Sequence, residues 1–294
     1  MVAAPARRMT TDTWLWTTAD GLRLVARRWT PSGPPKAVIA LLHGLGSHVE
    51  RHTPAAEALC AAGYVVAGFD LRGFGRSQGR RGHTPSLQAY LEDIGAFLDQ
   101  LRRRWPGLPQ VLYGHSMGAL LALAFTLTRR SALVGVIATS PALRSRVAEQ
   151  RCKLMLVRLF GRLLPTLSLD NGLDLSQLSR DPAVQALVEA DPHCHRRVTT
   201  AWGLALLQAI ALVEAQASQF PVPLLLLHGT DDAIAYPCGS ERFAAAAPAE
   251  RVTLQLFQGF RHELHSDPER QRVFAMMIAW LDRLVAAAGA DRPG

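Results

Sequence analysis

The chain has 294 residues, enough to bury a sizeable core, and 49% hydrophobic against 19% charged residues is a globular balance that excludes extensive disorder. Lys and Arg outnumber Asp and Glu by 32 to 24, a formal charge of +8, yet the arginines are scattered without a basic stripe or interleaved aromatics, so no nucleic-acid partner is expected. Cys60, Cys152, Cys194 and Cys238 lie far apart, with no CxxC pair or metal-ligand spacing, and read as free thiols in a reducing compartment.

In chain order, the opening MVAAPARRMTTDTW has two arginines but no apolar core after them, so residues 1–12 are expected to be a flexible start and not a secretion signal. TWLWTT at 13–18 and LRLVARRW at 22–29 flank Asp20-Gly21 and predict a β-hairpin. The pattern then changes to brief apolar runs at 36–44, 64–70, 110–114, 133–140, 223–229 and 252–257. Most of these end in Gly, Asp or Ser, with helix-length gaps between them. Strands apolar on both faces that alternate with helices imply an α/β fold with a mostly parallel sheet covered on both sides.

One gap is too long for a single crossover. Between Ser140 and Phe220 the spacing is helical with no convincing strand, so residues 141–217 are expected to be a helical cap inserted between core segments 13–140 and 218–294. In its first helix Arg144, Arg151, Arg158 and Arg162 fall on one stripe, with Leu154, Leu156, Val157, Leu159, Phe160, Leu163 and Leu164 around most of the rest. Such a helix is either packed on the core or laid on a membrane surface. An Ala-rich helix near 244–247 and a frayed tail from Ala286 complete the chain. The longest apolar run, Met117 to Leu127, is too short to span a bilayer, and a soluble, cytoplasmic protein is expected, with peripheral membrane contact through the cap as the open alternative.

In doubly wound sheets chemistry gathers at the carboxyl ends of strands. There the sequence carries His43-Gly44, Asp70, GHSMG at 114–118, Asp231-Asp232 and His262. Ser116 follows a strand, opens a helix and has Gly two residues to each side, the setting of a nucleophile elbow. A hydroxyl needs a base, and the base an orienting carboxylate. HGTDD and GFRHE supply these in the order Ser, Asp, His. Asp232 is favoured over Asp231 because it lies three residues past the turn at Gly229, and His262 over His265, which is expected at the surface. For the oxyanion hole one N–H is expected from Met117 and the other from Leu45 in HGLGS. His43, Gly44 and His115 are the candidate substrate contacts. Asp70, Arg72 and Asp181 are read as structural, Arg72 as a brace for the glycine-rich loop and Asp181 as the start of a cap helix. The reaction calls for no metal and no organic cofactor.

HGLGSH at 43–48, FDLRGFGRSQGRRGH at 69–83, GHSMG, SPAL at 140–143, NGLDLSQLSRDP at 171–182, HGTDD and GFRHE together resemble the α/β-hydrolase fold. Within it they are similar to the monoacylglycerol lipase and lysophospholipase-like group of serine aminopeptidase S33-type hydrolases. The resemblance implies Ser116 as nucleophile, Asp232 as acid, His262 as base and Leu45 and Met117 as oxyanion donors. It further implies a serine carboxylester hydrolase acting on a small-molecule lipid monoester, with monoacylglycerol leading. Lysophospholipase, broad-specificity esterase or thioesterase, and iminopeptidase-like amidase are rivals on the same triad, and a small-molecule receptor is the non-enzyme alternative. The chain departs from the group at Ser47, where an acidic residue is usual, and Cys238 does not match the group's thiol near the acid. The sequence assigns no oligomeric state.

Overall fold

The computed structural model of the protein describes residues 9–129, 131–145, 155, 157 and 160–290. The hairpin pairs Thr10–Thr17 (β1) with Arg23–Thr30 (β2) in antiparallel register, Trp16 opposite Leu24. Pairing begins at Thr10, so residues 10–12 are strand and not a flexible start. Their polar side chains hide the pattern at a sheet edge, where Asp12 pairs with Arg28.

Val38–Leu42 (β3) and Val65–Phe69 (β4) are buried at every position. Val38, Ala40 and Leu42 join one apolar cluster, Ile39 and Leu41 the other, so each strand contributes to both layers. Gln110–His115 (β5), Leu133–Thr139 (β6), a short pair Ser168–Asp170 (β7) and Arg197–Thr199 (β8), Leu224–Gly229 (β9) and Val252–Phe257 (β10) follow. The main sheet has eight strands in the order β1-β2-β4-β3-β5-β6-β9-β10, parallel from β4 to β10. After β3 the chain moves outward to β4, then returns to the opposite side of β3 for β5. The order therefore reverses at β3 and β5, and the crevice above their carboxyl ends is where this topology binds ligands.

Helices cover both faces. Thr53–Ala61 (α1) and the C-terminal helix contribute Ala55, Leu59, Val273, Phe274 and Met277 to one layer. Leu87–Arg104 (α2) and Met117–Thr128 (α3) contribute Phe97, Leu101, Leu120 and Phe125 to the other. Ser86 caps α2 by accepting the Ala89 N–H at 3.2 Å, and Arg102, Arg103 and Arg104 lie at its carbonyl end, where the helix dipole favours cations. Every residue of α3 from Met117 to Thr126 is buried, which is why that stretch carries no helical polarity pattern.

Between β6 and β9 lie Ala183–Ala190 (α4) and Thr200–Gln216 (α5). The β7–β8 pair is a difference from the sequence reading, which expects no strand there; three-residue strands are too short for a period-two signal. Ala201, Ala205, Ala209 and Val213 recur every four residues and bury one face of α5, which packs on α3. Residues 200–219 also have the length and composition to cross a membrane, with mean hydropathy 1.2, although Gln208 and Glu214 interrupt the apolar run and the helix packs on α3. Pro237–Ala246 (α6) and Arg270–Ala290 (α7) complete the chain. Helix α7 continues through Ala290, where a frayed tail from Ala286 is expected. Its late turns keep Leu284 and Val285 packed on the core.

Arg144 is not part of a cap helix. It sits at a bend, with Ser145 bridged to Ala235 and the Arg144 guanidinium 3.3 Å from Glu214 of α5. Arg151 and Arg158 lie outside the described residues, as do Leu154, Leu156 and Leu159. Val157 borders Gly203 of α5, while Arg162, Leu163 and Leu164 are exposed.

Candidate active site

Gly114 ends β5 and Gly118 opens α3 so closely that neither tolerates a side chain. A Cβ at Gly114 would lie 2.3 Å from the Gly118 carbonyl oxygen, and one at Gly118 would lie 2.3 Å from that of Leu42. The turn between them forces Ser116 to φ +55°, ψ −116°, a conformation L residues rarely adopt. Such strain costs about 1–3 kcal/mol and persists where neighbours over-determine it. Here the Ser116 N–H donates to Thr139 of β6 at 2.9 Å. Ser116 is at the helix N-cap yet makes no capping bond. Its Oγ instead lies 2.9 Å from His262 Nε2.

His262 follows β10, past the turn at Gly259, and its Nδ1 lies 2.7 Å from Asp232 Oδ2. Asp232 follows β9. Its Oδ1 accepts the N–H groups of Ile234 and Ala235, both at 2.9 Å, which fixes the carboxylate plane. Asp231 is exposed and faces away, bonded to the Thr230 hydroxyl. Three strand ends, separated by 146 residues at the extremes, thus converge on one hydrogen-bonded chain.

The electrostatics of this chain are cooperative. Burial alone would push the Asp232 carboxyl up, but the His262 charge and the hydrogen bonds from His228 and His262 outweigh it and hold Asp232 far below the ordinary carboxylate range. Burial alone would lower His262, and Asp232 outweighs it, so the imidazole titrates above its ordinary 6.5. A general base must be neutral. The rate constant kcat/KM is therefore expected to fall about tenfold per pH unit below an apparent pKa above 6.5. In Asp232→Asn that apparent pKa should move down, because burial is then opposed only by the Glu263 charge, and the plateau should fall by about 10⁴. A pH–rate profile checks both, and a wild-type acid limb centred below the free-histidine value would contradict the pairing.

The loop after β3 lies directly against the elbow, a Cβ at Gly44 meeting the Ser116 Cβ at 3.3 Å. Leu45 and Met117 both border the cavity in front of Ser116. The Met117 N–H belongs to the first helical turn, where backbone donors have no intrahelical acceptor. Gly44 and His115 also line the cavity. His43 does not. It is fully buried, accepting the Leu71 N–H on Nε2 at 2.9 Å, so it props the loop from behind instead of contacting substrate.

Residues 33–269 match the family described as serine aminopeptidase, S33. The chain belongs to this family. It is 32% identical over 279 residues to the human monoglyceride lipase, covering 94% of this chain and 92% of that one. It is 30% identical over 262 residues to the monoacylglycerol lipase of Mycolicibacterium smegmatis, with 89% and 93% covered. The crystal structure of Paleococcus ferrophilus monoacylglycerol lipase superposes with a TM-score of 0.79 at 31% identity, over 95% of this chain and 99% of that one. A soluble variant of monoglyceride lipase from Saccharomyces cerevisiae shares the fold at TM-score 0.84, with 24% identity and 97% of each chain covered.

Around this candidate site stand residues that the sequence reading leaves without a role. His228, within HGTDD, is fully buried and lies 3.1 Å from Asp232 Oδ2 and 2.8 Å from the Ala235 carbonyl oxygen through the same Nε2. A carbonyl only accepts, so Nε2 carries the proton and donates to both. Nδ1 then accepts from the Ser240 hydroxyl at 2.7 Å. Glu263, beside His262, is gripped by Arg51 Nη2 at 2.7 Å to each carboxylate oxygen.

His265 is a correction. It is 2% exposed and not at the surface, because the turn Leu264–Ser266 swings its ring inward against His52, with centroids 4.2 Å apart. Burial lowers it to about 4, so it stays neutral beside His262. Arg72 braces different partners from those expected. It joins Asp93 of α2 to Asp20 of the hairpin turn, while Arg81 holds the glycine-rich loop through the carbonyls of Gly75 and Ser77. Asp70 accepts the N–H groups of Val49 and Arg76, and Asp181 accepts that of Ala183 at the start of α4.

Proposed function

We infer that this carboxylic ester hydrolase cleaves the acyl ester of lipid monoesters, monoacylglycerols foremost. Ser116 attacks the carbonyl while His262 takes its proton, Asp232 holds the imidazolium, and the N–H groups of Leu45 and Met117 receive the oxyanion. His262 passes the proton to the leaving alcohol, and water releases the acid by the same steps. No metal or cofactor takes part in this sequence.

The observation that carries the reading is the Ser116–His262–Asp232 chain at a cavity walled by Leu169, Val198, Trp202, Leu206, Leu207 and Ile210. Four of these come from one face of α5, so the cap supplies the apolar wall and the core the chemistry. An acyl chain fits such a wall, whereas a charged peptide terminus would lose its hydration against it. The related monoglyceride and monoacylglycerol lipases support the same choice. The reading keeps the enzyme cytoplasmic, collecting substrate at membrane surfaces through the cap, where Met155 and Leu163 are 64% and 71% exposed.

A panel of 1-monoacylglycerol, lysophosphatidylcholine, an acyl thioester and an aminoacyl amide tests the reading. Monoacylglycerol should have the highest kcat/KM, and faster turnover of the amide would overturn it. With anionic vesicles, Leu163→Ser together with Arg162→Gln should reduce co-sedimentation and activity on vesicle-borne substrate while leaving activity on a soluble short-chain ester intact. Unchanged sedimentation would remove the membrane contact.

A further inference from the structure

We propose that His48, Asp191 and Cys194 form a binding site for a thiophilic divalent cation of the zinc class, one that clips the cap to the loop bearing Leu45. His48 closes the HGLGSH loop and is 3% exposed. Asp191 and Cys194 belong to one turn after α4, closed by the Cys194 N–H donating to the Asp191 carbonyl oxygen at 3.1 Å. This turn brings a carboxylate and a thiol to the same imidazole. His48 Nε2 lies 2.7 Å from Asp191 Oδ2, and the three potential ligand atoms all lie within 4.8 Å of one another.

Tetrahedral zinc holds sulfur at about 2.3 Å and nitrogen or oxygen at about 2.0–2.2 Å, which sets neighbouring ligand atoms roughly 3.3–3.7 Å apart. The His48–Asp191 pair is tighter than that and no pair exceeds 4.8 Å, so small side-chain rotations suffice. One thiolate, one imidazole and one carboxylate make a donor set that suits a borderline-soft cation better than calcium or magnesium, which take oxygen ligands only. Three protein ligands leave a fourth position for water.

The proton inventory closes. The proton that His48 and Asp191 share moves to His48 Nδ1, a buried nitrogen with no partner among the described residues, and the thiol proton leaves to solvent. Cation entry is open as well, because Cys194 borders a cavity together with Leu45, Gly46 and Ser47.

The bland alternative is a plain His–Asp hydrogen bond that ties loop to cap. In that alternative the Cys194 thiol donates to the same Asp191 carboxylate, so a cation would replace two hydrogen bonds to it at once. The next residue already touches the loop, the His195 N–H donating to Gly46 at 3.1 Å. A cation would convert this contact into a fixed clamp beside Leu45 and slow turnover. The binding site stands whatever the reaction; the slowing alone rests on the role proposed for Leu45.

The test is a Cd²⁺ titration of the chelator-treated full-length protein, read by the ultraviolet thiolate-to-cadmium charge-transfer band, with Zn²⁺ as competitor. One cation per chain is expected. Loss of outer-shell partners alone costs 10- to 100-fold in metal affinity, so Cys194→Ser should cost at least about 100-fold and abolish the band, and Asp191→Asn should weaken binding while sparing the thiol. Cys238→Ser, which removes an exposed thiol elsewhere, should leave the titration unchanged. A wild-type band in Cys194→Ser, or no stoichiometric retention by the wild type, would overturn the site. Stoichiometric binding with turnover unchanged would overturn the clamp on Leu45 and leave the site standing.

Discussion

Replacing Ser116 with Ala is expected to lower kcat on a monoacylglycerol by about 10⁴- to 10⁶-fold while the protein stays folded. The size follows from the proposed mechanism: without the hydroxyl, His262 would have no proton to take, and the cavity and the proposed oxyanion donors would retain only binding. The fold should survive because Oγ supports nothing except His262, whereas the elbow is held by backbone, Ser116 N–H to Thr139 and the Gly114–Gly118 contact. Ala inherits the φ of +55°, so it relieves no strain. Gly does. Ser116→Gly should be equally inactive and more stable by about 1–3 kcal/mol. Esterase assays with circular dichroism and urea unfolding separate these outcomes. Residual activity of Ser116→Ala near the wild-type level would remove Ser116 from the mechanism.

Arg72→Met is expected to destabilise the protein by about 3–5 kcal/mol. Arg72 is 3% exposed and Asp93 is 2% exposed, joined by two hydrogen bonds of 2.7 and 2.8 Å. Burial works against the Arg72 charge, but bonds to Asp93 and Asp20 outweigh it and hold the guanidinium above its ordinary value. Removing it leaves the buried Asp93 carboxylate without its partner, beside a cleft that it shares with Asp20, Gln88 and Glu92. The loss of the Asp20 bond adds little, because that carboxylate is half exposed and rehydrates. Arg72→Met with Asp93→Leu should therefore recover most of the loss, since replacing both partners leaves no unpaired charge. Urea denaturation of the two single variants and the double variant reads the cycle. A cost below about 1 kcal/mol for Arg72→Met would mean that water reaches Asp93.

Where local pattern and tertiary environment coincide, the reading from sequence succeeds. The strands β3 to β6 and β9 are buried on both faces, so their composition alone marks them, and Gly, Asp or Ser at most of their ends marks the loops above the sheet. The cap is less legible because its elements depend on contacts. The β7–β8 pair exists only because Leu169 and Val198 meet across it, and α5 reveals its small-residue face only against α3.

The α/β alternation, the Gly-flanked turn at Ser116 and the order in which Asp232 and His262 follow it are legible in the chain alone. Strand polarity, turn glycines and chain order are local properties. Tertiary structure alone decided which side chains share a proton or a charge. It drew His265 inward onto His52. It also placed His228 behind the acid and brought His48 to Asp191 across 143 residues. Burial and Coulomb interactions act through space, and nothing in the spacing of residues along the chain encodes them.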